Sequence, residues 1–272
     1  TQETEGEDPS LLTEVRLQLD YAREEARTVG TDQATQRLYA VLAAIPESKA
    51  TLRALVLAEL GSTALQAHQI SDAHAWFGQA LLLDPAEPTA LAAMCEALAE
   101  QGEHAAHAQL LQAALQVTST PDARLTYLDA LADLLLGPLA EPDAGLELLR
   151  ERLSIAPSLF ALERVVADDE HRGDWRAALK HRRILAEFLA ELPDRAADSW
   201  LAAARIASHE LDENTEAFAL ARHALVARPH SVEGLRALGR YATSNVDRLF
   251  VADHLEAAIE HVRGPELAAV SQ

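Results

Sequence analysis

Proline recurs along this chain with a fixed period, and the period limits the folds that the chain can adopt. Pro46 stands 39 residues before the first member of an evenly spaced series. The six members of that series are each 36 residues apart: Pro85, Pro121, Pro157, Pro193, Pro229 and Pro265. A period of this length is typical of solenoids, in which stacked units bury their apolar faces against one another.

Composition indicates that each unit is helical. Hydrophobic residues make up 49% of the 272 residues but aromatic residues only 4%, so the core must be built mainly from Ala and Leu. Both are strong helix formers, and no segment alternates as a strand would. We therefore predict an all-α stack of helix pairs. About seven repeats are expected, at approximately 11–48, 51–86, 87–121, 122–157, 158–193, 194–230 and 231–264.

The two ends of the chain differ from the repeats. Residues 1–10 are polar and acidic, which predicts a disordered segment, with Ser10 as the N-cap of the first helix. Residues 265–272 are predicted to begin a capping helix or a further repeat. The only Met is Met94, so the initiator is missing. A fragment of a larger protein, or a chain whose natural start was removed, is the expectation.

Small and large residues recur at fixed places inside the units. In residues 54–85 the spacing is carried by Leu60-Gly61, Ala73, Phe77, Ala80 and Pro85. This spacing resembles the tetratricopeptide repeat (TPR), with its pattern W-x2-L-G-x2-Y, then A-x3-F, then P. Residues 200–229 and 232–258 match it in part. The resemblance implies a right-handed superhelical solenoid that serves as a non-enzymatic scaffold or adaptor for a partner protein.

No spacing typical of a catalytic or metal site is present. The patterns H-E-x-x-H, G-x-x-x-x-G-K-[ST], G-x-G-x-x-G and G-x-S-x-G are all missing. His104 and His107 lie on one helix face without a third ligand, and the acidic run 168–170 is predicted to be a solvated helix end. Cys95 is interpreted as a packing residue. We predict no catalytic residue, no metal and no cofactor.

Charge restricts the partner. The chain carries 43 Asp and Glu against 23 Lys and Arg, a formal net charge of -20, which disfavours nucleic acid. No run of eighteen apolar residues exists, so membrane insertion is not expected. The cytoplasm is the default compartment, and the periplasm after signal removal is the alternative. A homo-oligomer stays open, as does a positioning role inside a larger protein.

The resemblance also implies where a peptide or helix of the partner would bind, because first helices line the concave groove of such proteins. Positions carried over to that groove are Arg16, Arg124, Tyr127, Phe160, Glu163, Arg205, Arg236 and Arg240. Arg236 and Arg240 are one turn apart, and Arg205 is at the equivalent place one repeat earlier. An acidic or carboxylate-bearing segment is predicted to dock there. The alternative is that these arginines pair with neighbours such as Glu233.

A second basic stretch, HRGDWRAALKHRR, occupies residues 171–183. Gly173 is predicted to close a turn, and Asp174 to cap the next helix. The residues predicted to face the core are Trp175, Ala178, Leu179, Leu185 and Leu189. The guanidinium of Arg182 is expected to reach water.

Arg176, Lys180 and Arg183 in that stretch form a stripe on the outer face of the same helix. Acidic residues on neighbouring second helices, namely Glu147, Glu151 and Glu216, are expected to balance it. The stripe is therefore interpreted as solvated scaffold rather than as a docking patch, and it is the secondary candidate site.

Overall fold

A computed structural model describes the backbone of residues 9–270 and the side chains of residues 9–259. Residues 9–270 form fourteen helices and no strand, so the all-α prediction is confirmed. The chain divides into two compact units, Thr1–Gly145 and Leu146–Gln272. No helix in the part of the chain that the structure describes is both long enough and apolar enough to cross a membrane.

Unit 1 is a run of helices joined by turns of two to five residues. Its helices are α1 (Pro9–Thr28), α2 (Thr31–Ala44), α3 (Ala50–Gln66), α4 (Ile70–Leu83), α5 (Pro88–Gln101), α6 (His104–Val117), α7 (Pro121–Leu136) and the start of α8 (Pro142–Ile155). From α1 to α7 each helix contacts the next, and α3 also contacts α1 and α5. Short turns between contacting helices make consecutive helices antiparallel.

Unit 2 has the same construction. Its further helices are α9 (Leu159–Arg172), α10 (Trp175–Phe188), α11 (Pro193–His209), α12 (Asn214–Ala227), α13 (Val232–Tyr241) and α14 (Asn245–Val270). From α9 to α14 each helix contacts the next, and α11 also contacts α13. The helix pairs give the chain a TPR-like fold.

Complementary volumes explain the repeated small and large positions. A Cβ atom on Gly61 would lie 2.5 Å from Cε1 of Phe77, so only glycine lets α3 and α4 approach this closely. Ala73 and Ala80, one turn to either side of Phe77, are fully buried on the same face of α4. The spacing in residues 54–85 is therefore a packing device, since well-packed interiors leave no room for an added methyl group.

The periodic prolines from Pro85 to Pro229 lie in or next to the turns between helix pairs, but not at one position. Pro85 and Pro157 follow a second helix, whereas Pro121 and Pro193 are the first residues of α7 and α11. A proline at the first helical position loses no hydrogen bond, because that N–H has no partner inside the helix. The approximate repeat boundaries predicted at residues 121 and 193 fall at the first residues of α7 and α11.

The ends of the array differ from the prediction. Helix α14 continues from Asn245 to Val270, so Pro265 does not end it and no new helix begins there. The flanking residues 266–270 are mostly strong helix formers, which offset the loss of one N–H. Helix α1 begins at Pro9, so Ser10 lies within its first turn rather than at its cap. The disorder predicted for residues 1–8 lies outside the described residues.

The turn in HRGDWRAALKHRR agrees with the prediction. Gly173 adopts φ +71, in the left-handed region that favours glycine, and it ends α9. The carboxylate of Asp174 accepts a hydrogen bond from the backbone N–H of Ala177 at 3.2 Å. Ala178, Leu179, Leu185 and Leu189 are buried, and Trp175 packs against the same core.

Candidate functional site

Three of the predicted arginines line one pocket in unit 2. Arg205 projects from α11, while Arg236 and Arg240 project from α13. The pocket has a volume of about 510 Å³. Its lining residues are Asp198, Leu201, Arg205, Glu233, Arg236, Ala237, Arg240 and Tyr241.

Packing of α13 aims the arginines into this pocket. Leu235, Leu238 and Tyr241 form the buried face of the helix, so Arg236 and Arg240 lie on its exposed side. The side chain of Ser231 accepts a hydrogen bond from the backbone N–H of Gly234 and caps the helix at 3.2 Å. The position of two guanidinium groups is therefore set by a rigid element.

The acidic residues of the pocket interact with a different arginine. Nη2 of Arg228 lies 2.9 Å from Oδ1 of Asp198 and 3.7 Å from Oε2 of Glu233. None of Arg205, Arg236 and Arg240 forms an ion pair with any carboxylate among the side chains of residues 9–259. Glu233 thus lies nearest to Arg228, and no ion pair joins it to Arg205, Arg236 or Arg240 among the described side chains.

Arg124 and Tyr127, both on α7 of unit 1, are held by scaffold contacts. Nη1 of Arg124 donates a hydrogen bond to the carbonyl oxygen of Leu115 at 3.2 Å, in the last turn of α6. Tyr127 packs against the core of unit 1. Burial raises the pKa of the Tyr127 hydroxyl, and the neighbouring Cys95 raises it further. These two residues do not share a pocket with the three arginines.

The remaining groove positions are not among the residues that line the arginine pocket. Phe160 on α9 is covered by the guanidinium of Arg164, which lies 4.6 Å from the ring centroid. Glu163 forms an ion pair with Arg195. Arg16 is exposed on α1 in unit 1.

The basic outer stripe on α10 is paired at both ends with the start of α12. Nη2 of Arg176 lies 2.7 Å from Oε1 of Glu213, and Nη1 of Arg183 lies 3.0 Å from Oε1 of Glu216. Lys180 between them is exposed. Glu147 was expected to balance this stripe, but it pairs with Arg150 of its own helix at 3.0 Å.

The acidic run 168–170 is not a solvated helix end, and this prediction is wrong. The Asp169 side chain is only 3% exposed, and its carboxylate is 3.0 Å from Nη2 of Arg150 and 2.7 Å from Nδ1 of His181. Asp168 pairs with Arg150 and with Arg172. We call Arg150, Asp168, Asp169, Arg172 and His181 the buried network. Its members come from α8, α9 and α10, so no local spacing reveals it.

The contacts in and beside the buried network affect the pKa of Asp168 and the position of Arg182. Burial alone would raise the pKa of Asp168, but hydrogen bonds from Arg150 and Arg172 outweigh it and hold that pKa below its ordinary value. Arg182 beside the network was expected to reach water, yet its Nε and Nη2 lie 2.8 and 3.0 Å from the two carboxylate oxygens of Glu170. This bidentate pair fixes the guanidinium in place.

His104, His107 and Cys95 lie in surroundings that match packing roles. The Nδ1 atoms of both histidines are buried without a hydrogen-bond partner, and burial lowers the pKa of His107. Burial raises the pKa of the Cys95 thiol to about 11, so the nucleophilic thiolate is scarce at neutral pH. Among the described residues, no group of three His, Cys, Asp or Glu side chains is placed to hold a metal ion.

Comparisons with known proteins give similarity of structure without similarity of sequence. No protein-family model matches the chain. No curated protein matches it either. Solved structures that resemble it include the C-terminal part of a TPR repeat-containing protein from Cytophaga hutchinsonii. That chain is 14% identical, with 82% of this chain and 87% of that chain covered, at a TM-score of 0.45.

Two further solved structures also resemble this chain at low sequence identity. A tetratricopeptide repeat protein from Parabacteroides merdae is 14% identical, covering 90% of this chain and 98% of that chain at a TM-score of 0.42. YrrB, described as a TPR protein with an unusual peptide-binding site, is 17% identical, covering 68% and 91% at a TM-score of 0.39. The TPR-like fold of this chain rests on its own helix pairs and on the fit of Gly61 against Phe77.

Proposed function

We propose that this chain is a non-enzymatic protein-interaction scaffold that binds an acidic or carboxylate-bearing segment of a partner protein. The observation that carries the proposal is the arginine pocket formed by Arg205, Arg236 and Arg240. It concentrates positive charge on one exposed surface of a chain whose net charge is -20.

The three arginines of this pocket form no ion pair with a carboxylate among the described side chains. Nine other arginines do form one. The arginines in such ion pairs are Arg23, Arg37, Arg150, Arg172, Arg176, Arg182, Arg183, Arg195 and Arg228. A guanidinium presents a planar fork of donors that fits a carboxylate with two hydrogen bonds. Three such forks around one pocket favour a ligand with several carboxylates.

The scaffold suits a peptide or helix better than a small anion. Arg236 and Arg240 are one helical turn apart, and the half-buried Leu201 supplies apolar surface beside the charged groups. Packed helix pairs present such a surface without rearrangement, which limits the entropy lost on binding. Nucleic acid is disfavoured as the partner, because the overall charge would repel it at long range.

Fluorescence anisotropy with a labelled Asp- and Glu-rich peptide tests this function. We expect R236E/R240E to weaken binding of this peptide about tenfold or more, because two charge-assisted contacts become repulsive. A peptide with Asn and Gln in place of the acidic residues should bind weakly to both proteins.

The matched control is R27E/R248E, which reverses two exposed arginines, one on α1 and one on α14, and gives the same net charge. Circular dichroism establishes that both variants keep their helices. If R27E/R248E weakens binding as much as R236E/R240E, the interaction depends on net charge and the proposed site is wrong.

A further inference from the structure

Another groove in unit 2, which we call the second groove, lies between α12 and α14 and has a volume of about 500 Å³. Both helices are the second members of their helix pairs. Its apolar lining residues are Leu225 and Val226 of α12, Leu235 of α13, and Phe250 and Ala257 of α14, and Val226 is the one exposed to 80%. Pro229 and His230, in the turn that joins α12 to α13, close one end. A mostly apolar concavity of this size with a few polar groups at its rim is typical of small-molecule sites.

The floor of the groove is organised around Phe250. Its ring packs edge-on against Phe218, with the two ring centroids 6.0 Å apart. The guanidinium of Arg222 lies 4.5 Å from the Phe250 ring centroid. The His254 ring also lies against the Phe250 ring, with the two centroids 4.0 Å apart. Phe250 is therefore packed among Phe218, Arg222 and His254, and its half-buried side chain lines the groove.

The polar groups that line this groove are all basic. They are Arg222, His230 and His254. Nδ1 of His254 lies 2.9 Å from the carbonyl oxygen of Phe250, a contact that requires Nδ1–H to donate, so Nε2 is the nitrogen left for a ligand. Arg222 stacks on Phe250 and forms no ion pair with a carboxylate among the side chains of residues 9–259.

The neighbouring groove between α10 and α12 differs from the second groove in the charge of its lining residues. Its volume is about 730 Å³, and its lining includes Glu187, Asp212, Glu213 and Glu216. Arg183 is the one basic side chain besides His223 in that lining. Helix α12 thus separates an acidic groove from a basic, apolar one.

We propose that the groove between α12 and α14 binds a small organic carboxylate with an apolar tail. The tail packs on Phe250, Val226 and Ala257, which removes apolar surface from water. The carboxylate accepts hydrogen bonds from the Arg222 guanidinium, whose face stays on the Phe250 ring, and lies within the same rim as His254. This site does not depend on the arginine pocket, whose residues do not line it.

Isothermal titration calorimetry of the full chain with 4-phenylbutyrate tests the site. We expect a Kd on the order of 1 mM, as is usual for a ligand with few atoms. The uncharged analogue 4-phenylbutanamide should bind about tenfold more weakly or not at all, since it cannot form the charge-assisted contact. Equal binding of the amide, or no binding of 4-phenylbutyrate, overturns the proposal.

Variants locate the site. R222Q should weaken 4-phenylbutyrate binding about tenfold, whereas R248Q, which removes an exposed arginine of α14 outside the groove, should leave it unchanged. V226W fills the groove from a side chain that is 80% exposed, so it should block binding without disturbing the core. Retained binding in both R222Q and V226W would place the ligand elsewhere. R236E/R240E should bind the probe normally, which separates this site from the proposed function.

Discussion

The arginine pocket and the buried network are both rich in arginine and both belong to unit 2, but their surroundings are opposite. In the buried network Arg150 contacts the carboxylates of Asp168 and Asp169, and Asp169 also contacts the imidazole of His181. In the pocket, Arg205, Arg236 and Arg240 line one cavity, while the nearby Asp198 and Glu233 pair with Arg228. Basic side chains thus stabilise a fold where the chain supplies their partners and are available for ligands where it does not.

The largest expected effect comes from removing the central carboxylate of the buried network. D169A should lower the free energy of unfolding by about 3 kcal/mol, because it leaves Arg150 and His181 without their buried partner. Chemical denaturation measures this change. The control is D194A, which removes a carboxylate that is 80% exposed and 3.6 Å from Arg228; its effect should stay within about 0.5 kcal/mol. Similar losses in the two variants would show that the network is not buried in solution.

A smaller effect is expected when pH is lowered. The pKa of Asp168 is below its ordinary value in the folded chain, so its stabilising contribution is complete above the unfolded pKa of about 4. The contribution is lost as the pH falls through the lower, folded pKa. As the pH falls from the unfolded pKa to the folded pKa of Asp168, the free energy of unfolding should therefore decrease more for the wild type than for D168N. Parallel stability curves for the two proteins would contradict the assignment of Asp168 to the network.

The smallest effect comes from a matched pair of surface variants. R176Q/R183Q removes two exposed ion pairs and should cost about 0.5 kcal/mol for each. R236Q/R240Q removes no ion pair and should leave thermal stability unchanged or slightly raised, because two neighbouring like charges are gone. Thermal unfolding of both variants checks this ordering. A larger loss in R236Q/R240Q would mean that the pocket arginines do have partners within the chain.

Much of the fold could be predicted from the sequence because the determinants are local. The spacing of Gly61, Phe77 and Ala80 acts within one helix pair, so a single repeat contains this signal. The proline period then shows that the repeat recurs along the chain. The same holds for Asp174, whose cap bond reaches only three residues. The prediction of a helix end at Pro265 is wrong because one proline does not outweigh residues 266–270, which favour helix.

The candidate site could be predicted only in part. Arg205, Arg236 and Arg240 were found because their places in the repeat are equivalent and their helices contact each other. The partners of Asp168 and Asp169 were missed because Arg150 is 18 and 19 residues away, on another helix, with nothing in the spacing to mark it. Arg124 has a scaffold contact that a periodic position alone does not reveal.

The contact between Gly61 and Phe77 has a consequence for how this chain can change over time. A Cβ atom at position 61 would overlap the aromatic ring, while a smaller side chain at position 77 would leave a cavity beside a bare backbone. The two positions cannot vary independently, since the effect of either substitution depends on the residue at the other. A larger residue at position 61 therefore requires a smaller one at position 77 in the same chain.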